Sequence, residues 1–164
     1  MARPSLMVLF AGTATLAALA CSNDSTAPAL ATMFAATMNG ANERLNPVTT
    51  TATGSATFTI DESAGTIAYA VTVNNIVDVI ACHIHAGRVD VAGPIVVNLC
   101  TTTPASGTIN GTLVTGTITA ASIGASVPIS FASLVSLIRN GDAYINVHTQ
   151  TNPGGEIRGQ ILAQ

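Results

Sequence analysis

Three histidines are the residues of this sequence best suited to chemistry, and they fall in two short stretches, CHIH at 82–85 and AYINVHT at 143–149. In a β-strand, side chains two residues apart point to the same side, so His83 and His85 project together. Asn146 and His148 do the same on the second stretch. Paired imidazoles on a rigid sheet can hold a transition-metal ion, and His148 can add a third nitrogen. His83, His85 and His148 are therefore a candidate copper or zinc site.

The same residues support two other interpretations. A turn centred on Asn152 would set His148 opposite Glu156 and Asn146 opposite Arg158. The histidines would then form a buried hydrogen-bonding network with Asn146, Glu156 and Arg158, in which Glu156 either orients His148 or pairs with Arg158. General acid–base catalysis by the histidines is the third interpretation. No Ser-His-Asp arrangement, phosphate-binding glycine loop or pair of catalytic carboxylates is recognisable, so no catalytic residue is assigned.

The residues around the histidines alternate between apolar and polar with a period of two, which is typical of half-buried strands. One segment has helical spacing, with Ser130 as its N-cap and Asn140-Gly141 at its end. The pattern predicts an all-β domain, an antiparallel Greek-key-like β-sandwich of about eight strands with one short helix. The predicted strands lie near 34–38, 55–60, 67–73, 79–85, 95–99, 107–119, 143–149 and 156–162.

Two cysteines, Cys82 and Cys100, lie in the folded region near two adjacent predicted strands. In an oxidising compartment such a pair favours a disulfide, with two free buried thiols as the alternative. If the two cysteines faced each other directly, the histidines beside Cys82 would fall on the apolar side of the partner strand. A bulge, or a position for Cys100 at the end of its strand, would remove this conflict.

The N-terminus has the pattern of an export signal. Arg3 precedes a charge-free apolar run from Leu6 to Ala20, which predicts a signal peptide over residues 1–20. The sequence LAC at 19–21 resembles a bacterial lipobox, although Ala18 stands where the usual leucine would be. Cys21 is therefore the predicted lipidation site, and ordinary secretion after cleavage near Ala20 is the alternative. Residues 21–31 would form the lipidated N-terminus and a flexible tether, and residues 32–164 the folded domain.

Charge and the N-terminus together indicate location and partners. Without residues 1–20 the chain has four arginines against eight acids, a net charge of −4. This net negative charge argues against nucleic acid and against an anionic membrane surface as electrostatic partners. Ser22 after the cysteine resembles the arrangement that permits outer-membrane sorting. We expect an extracytoplasmic protein of the cell envelope, on the outer membrane or the periplasmic face, attached through a lipid on Cys21 and binding an unidentified protein or small ligand.

These motifs together resemble the CHRD domain, which is named after chordin, an animal extracellular antagonist of bone morphogenetic proteins, and is also found in secreted bacterial proteins. The resemblance rests on HIH at 83–85 with GPIVVNL at 93–99, on RNG at 139–141, and on AYINVHT at 143–149 with GEIRGQI at 155–161. It covers about residues 32–162 and implies an extracellular β-sandwich module whose family has no defined molecular function. Growth-factor binding does not transfer from chordin, because no residue here marks such an interface.

The HIH strand is also similar in form to the copper-binding strand of copper/zinc superoxide dismutases, another β-sandwich family. That enzyme needs more histidines, and a bridging ligand, than three histidines provide. The likeness therefore supports a metal site and not dismutase activity. The sequence favours a non-enzymatic, lipid-anchored CHRD module with a binding or structural role. The alternative is a copper- or zinc-binding protein using His83, His85 and His148, with redox or hydrolytic chemistry as an extension.

Overall fold

Eight strands and one α-helix make up the part of the chain that the structure describes. The computed structural model describes Leu30 and residues 32–100 and 105–164, so the predictions for residues 1–29, including the lipidation of Cys21, lie outside it. The elements are β1 (Met33–Asn39), β2 (Thr53–Asp61), β3 (Thr66–Ala86), β4 (Ile95–Asn98), β5 (Ala105–Ile118), α1 (Phe131–Arg139), β6 (Ala143–Thr149), β7 (Ile157–Gln160) and β8 (Leu162–Ala163).

All strand pairs are antiparallel, and five of the strands close into a ring. Their order is β2-β1-β7-β6-β3, and β3 pairs back onto β2. The remaining strands attach to this ring, β4 and β5 to β3 and β8 to β1. The predicted all-β antiparallel class, the total of eight strands and the short α-helix are confirmed, although the predicted strand at 156–162 is two short strands, β7 and β8. The predicted sandwich is replaced by a five-stranded barrel, because one long strand pairs with both β6 and β2 and closes the sheet on itself.

That strand is β3, which runs for 21 residues. Its first part, 67–73, pairs with β2 on one side and β5 on the other, and its second part, 81–86, pairs with β6. Between them Asn75 and Asp78 have φ angles of 55° and 52°, and the register with β5 shifts at both places. Asn and Asp tolerate this left-handed region better than most residues. The two strands predicted here are one, because bulges bend a strand without ending it.

The core lies inside the ring and is filled by the alternate side chains of each strand. Phe34 and Phe58 face each other across β1 and β2, and both are 1% exposed. Helix α1 begins after Ser130, whose side chain accepts the Ser133 N–H, as predicted. The helix then buries Leu134 and Ile138 in the same core. Within the described ranges, we find no helix long and apolar enough to cross a membrane.

A disulfide joins Cys82 of β3 to Cys100, two residues beyond the end of β4, with Cα atoms 5.0 Å apart. Both expected ways of avoiding the register conflict are present. Cys100 lies outside its strand, and the β3–β4 pairing has a bulge beside His85. His83 therefore pairs with Asn98 rather than with an apolar residue. Cys82 stays fully buried in the core, while the two histidines project from the other side of β3.

Candidate functional site

The three histidines meet on one face of β3 and β6. His83 pairs directly with Asn146, and His148 lies opposite Ala81 on the same pair of strands. The residues between them, including Ile84, are fully buried on the opposite face. The hairpin of β6 and β7 has the predicted register, with Asn146 opposite Arg158. Period-two alternation and this register therefore bring the predicted histidines and Asn146 together.

One nitrogen of each imidazole lies within 4.8 Å of a nitrogen of each of the other two. The shortest of these distances is 3.0 Å, between His83 Nδ1 and His148 Nε2. Nitrogens around a tetrahedral zinc ion lie about 3.4 Å apart, given Zn–N bonds of about 2.0–2.1 Å. Side-chain movements that change these separations by at most about 1.4 Å would bring all three nitrogens to that spacing. The cluster is therefore the right size for one ion.

Backbone carbonyls set the tautomers of two of the rings. His85 Nδ1 lies 2.8 Å from the Gly93 carbonyl oxygen, and His148 Nδ1 lies 3.0 Å from that of Pro153. A carbonyl oxygen only accepts, so both Nδ1 atoms donate, and each Nε2 of the neutral ring has a lone pair. The Nε2 of His85 is buried and has no hydrogen-bond partner. This support of one ring nitrogen by a backbone carbonyl is characteristic of histidines that bind metals through the other nitrogen.

The cluster is largely removed from solvent. His85 and His148 are each 8% exposed and Asn146 is 3% exposed, whereas His83 is half-buried and forms the accessible side. Burial lowers the pKa of all three imidazoles, and the neighbouring His148 and His85 help to lower that of His83 to about 4. The rings are therefore neutral near pH 7, and each can bind a metal ion through a nitrogen lone pair without first releasing a proton.

Two more side chains support the cluster. The His85 ring stacks on Tyr144, with centroids 4.8 Å apart and planes 11° apart. The guanidinium carbon of Arg158 lies 3.4 Å from the centroid of the Tyr144 ring, and its Nη2 donates to the Arg88 carbonyl oxygen at 2.7 Å. The Tyr144 hydroxyl accepts the Gly93 N–H at 3.0 Å. A cation–π contact of a buried Arg fixes the tyrosine, and the tyrosine in turn fixes His85.

Glu156, which we predicted in the network, binds elsewhere. Its carboxylate accepts hydrogen bonds from the hydroxyls of Thr149 and Thr50 at 2.6 and 2.7 Å, and from the Asn152 amide at 3.2 Å. Burial alone would raise its pKa, but these three bonds hold the pKa below its ordinary value. The predicted contacts with His148 and Arg158 are wrong, because nearer donors occupy both carboxylate oxygens. The Pro153 carbonyl orients His148 instead.

Glu43 belongs to the site, although no sequence motif indicated it. It is 3% exposed, and its Oε1 has no hydrogen-bond partner. Burial raises its pKa to about 7, although the charge of Arg158 and the amide of Asn146 both act to lower it. It follows a short 3₁₀ turn, Gly40–Asn42, in a segment without strand or helix periodicity. The only sequence signal for Glu43 is that it and Arg44 are two adjacent charged residues within an otherwise uncharged polar stretch.

Acidification is expected to destabilise the metal-free protein through these histidines. Each folded-state pKa lies below the ordinary 6.5, so the unfolded chain binds more protons and stability falls as the pH drops from 6.5 towards 4. For His83 we expect a loss of about 1–2 kcal/mol, after allowance for the partial exposure of its ring. Urea unfolding at pH 7 and pH 4.5, with chelator present, measures this loss.

The matched variant for this prediction is His83→Ala, which should lose less stability over the same pH interval than the unmodified protein. Glu43 acts in the opposite direction between pH 4.5 and 7, because its folded-state pKa is raised. Since both proteins contain Glu43, the difference between them isolates the imidazole. An identical pH dependence in the two proteins would contradict the lowered pKa of His83.

The fold and the site together define an antiparallel, disulfide-linked β-domain with a cluster of three neutral histidines. Residues 34–161 match the family model of the CHRD domain, and this range contains every residue of the site described above. The chain therefore belongs to the CHRD domain family, as the sequence motifs indicated. Neither a curated protein nor a solved structure matches the chain.

Proposed function

We propose that this protein is a lipid-anchored module of the bacterial cell envelope whose CHRD domain binds one copper or zinc ion through His83, His85 and His148, without catalysing a reaction. The observation that supports metal binding is the arrangement of lone pairs. Two imidazoles are held by carbonyls through Nδ1, and the buried Nε2 of His85 has no partner. Imidazole nitrogens are donors that suit both copper and zinc.

A hydrogen-bonding network without metal is the second candidate, and one contact favours it. His83 Nδ1 lies 3.0 Å from His148 Nε2, so a single proton can join these two rings. This proton leaves the Nε2 of His85 unsatisfied, and a buried polar atom without a partner costs about 1–3 kcal/mol. One metal ion would satisfy all three rings at once, which is why we favour the metal.

The burial of the histidines supports a non-enzymatic role for the domain. Two of the three imidazoles are only 8% exposed, so a substrate would reach a bound ion only past His83. The anchor and the location are supported by the apolar N-terminal run that ends immediately before Cys21 and by the Cys82–Cys100 disulfide. Disulfides persist in oxidising compartments outside the cytoplasm.

Elemental analysis of protein purified without an affinity tag should find one copper or zinc ion per chain. Adding the ion to chelator-treated protein at 100 times its Kd should raise the free energy of unfolding by about 2.7 kcal/mol, because the ion binds only the folded state. His85→Ala should lose both the ion and the stabilisation while remaining folded. His83→Ala, at the half-buried position, is the second variant if His85→Ala does not fold.

Asp90→Asn is the matched control, because Asp90 is an exposed acid outside the cluster. It should bind metal as the unmodified protein does. A protein without stoichiometric metal, together with a large loss of stability in His85→Ala, would favour the hydrogen-bonding network. Equal metal content in all the variants would place the ion elsewhere on the chain.

The anchor is tested separately by mass spectrometry of the mature N-terminus. A diacyl or triacyl mass on Cys21, with residues 1–20 removed, is the expected result. The matched variant Cys21→Ala should be recovered in the soluble fraction. An unmodified mature N-terminus would identify an ordinary secreted protein, and it would leave the metal-binding proposal unaffected.

A further inference from the structure

Asn146 lies at the centre of the histidine cluster. Its Oδ1 is 3.0 Å from His148 Nε2, the same nitrogen that lies 3.0 Å from His83 Nδ1. Asn146 is 3% exposed, and in β6 it pairs directly with His83 of β3. The amide oxygen of Asn146 is therefore as close to His148 Nε2 as the His83 ring nitrogen is.

The contact between Asn146 and His148 joins two groups that both accept. His148 Nδ1 donates to the Pro153 carbonyl, so its Nε2 has a lone pair, and an amide oxygen has lone pairs only. Two such atoms at 3.0 Å repel unless a positive centre lies between them. Rotating the amide by 180° would remove the repulsion by turning its N–H groups towards His148.

Glu43 opposes that rotation. The residue before it, Asn42, donates its side-chain amide to the Arg158 carbonyl oxygen at 3.1 Å, and Arg158 lies opposite Asn146. The Glu43 carboxyl is buried there, its Oε1 has no hydrogen-bond partner, and the Asn146 amide helps to lower its pKa. The unpartnered Oε1 is a hydrogen-bond acceptor and the amide nitrogen of Asn146 is a donor, so the amide nitrogen belongs on the side of Glu43. With the nitrogen towards Glu43, the amide oxygen faces the histidines.

We infer that Asn146 Oδ1 is a fourth ligand of the metal ion held by His83, His85 and His148, and that Glu43 is the positioning residue that turns this oxygen towards the ion. This inference rests on the proposed metal binding. Three imidazole nitrogens and one amide oxygen form a four-coordinate set that suits a divalent ion. An amide oxygen is a hard donor that adds little for Cu⁺, so Asn146 favours divalent ions over Cu⁺.

Co²⁺ is the probe for this inference, because its visible absorption reports the number and type of its ligands. In the full-length protein, Asn146→Ala should bind Co²⁺ and Zn²⁺ at least about 10-fold more weakly, since even substitutions outside the ligand set have effects of that size. The Co²⁺ absorption band should change, and Cu⁺ affinity should stay the same. Asn74→Ala, the same substitution at an exposed position of β3, is the matched control and should change none of these.

Glu43→Gln tests the positioning role separately. A glutamine can donate to the amide oxygen of Asn146 as well as accept, so the orientation of that amide is no longer fixed. We expect weaker Co²⁺ binding and an altered band, while the metal-free variant is at least as stable at pH 8 as the unmodified protein, because a buried carboxyl has been neutralised. A purely structural role for Glu43 would instead give an unchanged Co²⁺ spectrum.

The outcomes separate the two proposals. If the unmodified protein binds no Co²⁺, Zn²⁺ or copper, both are overturned. If it binds Co²⁺ and Asn146→Ala binds it with the same affinity and the same spectrum, only the fourth ligand is overturned. If Asn146→Ala does not fold, Asn146→Asp replaces it, since its carboxylate retains an oxygen donor and should bind Co²⁺ at least as tightly. Weaker binding by Asn146→Asp would also overturn the assignment.

Discussion

Replacing Gly159 with alanine is expected to destabilise the protein by about 4 kcal/mol, at the high end of single-residue effects. A Cβ at this position would lie 2.5 Å from the carbonyl oxygen of Thr37 and 2.8 Å from its carbonyl carbon. These are main-chain atoms of β1 and cannot rotate away, so β7 would have to separate from β1. Overpacking that side chains can absorb costs about 1–3 kcal/mol, and a clash between two paired strands should cost more.

Gly154→Ala is the control within the same hairpin. A Cβ at Gly154 would have nothing within 4 Å, and we expect a change of at most about 0.5 kcal/mol. Urea unfolding followed by circular dichroism measures both variants. Equal stability of Gly159→Ala and Gly154→Ala would contradict the close approach of β7 to β1.

Arg158→Met should cost about 3–5 kcal/mol at pH 8, the range for breaking a buried charged contact by removing one partner. Arg158 is 2% exposed, and the variant loses its hydrogen bond to the Arg88 carbonyl and its contact with the Tyr144 ring. It also removes the positive charge that lowers the pKa of Glu43. At pH 8 the variant leaves the Glu43 carboxylate buried without this compensating charge, which is costly. At pH 5 Glu43 is protonated, so the loss of stability should be smaller.

Arg88→Met is the control for this variant. The Arg88 side chain is 77% exposed and pairs with Asp142 at 3.0 Å, a surface ion pair that contributes at most about 1 kcal/mol. The backbone oxygen used by Arg158 is retained. Glu43→Gln combined with Arg158→Met should recover part of the loss at pH 8. The same loss at pH 5 and pH 8 would show that Arg158 is not coupled to Glu43.

The parts of the fold and site that the sequence predicted are those fixed by local periodicity. Alternation placed His83 and His85 on one side of a strand, and the turn centred on Asn152 placed Asn146 opposite Arg158. Side-chain direction in a strand repeats every two residues, so one correct register determines every face along the hairpin. The family motifs HIH at 83–85 and AYINVHT at 143–149 also indicated that these two strands carry the site.

The contacts that the sequence could not predict involve loops and backbone atoms. The carbonyls of Gly93 and Pro153 determine which nitrogen of His85 and His148 is free, but a carbonyl has the same chemistry at every residue. Glu43 reaches the site from a segment without periodicity. Glu156 has the predicted position along the chain, but its bonds depend on Thr50, a residue distant in sequence. Each of these contacts is decided by tertiary packing alone.

The pairing of β1 with β7 affects the order in which the chain folds. The ring closes where Asn39 meets Arg158, so a residue of the first strand pairs with a residue more than 100 positions later in the chain. Contacts between distant parts of a chain form late and slow the folding of β-proteins. The barrel cannot be completed until the C-terminal residues are available. A chain of this topology therefore cannot close its barrel until β6 and β7 have been synthesised, and β1 and β2 must wait for them.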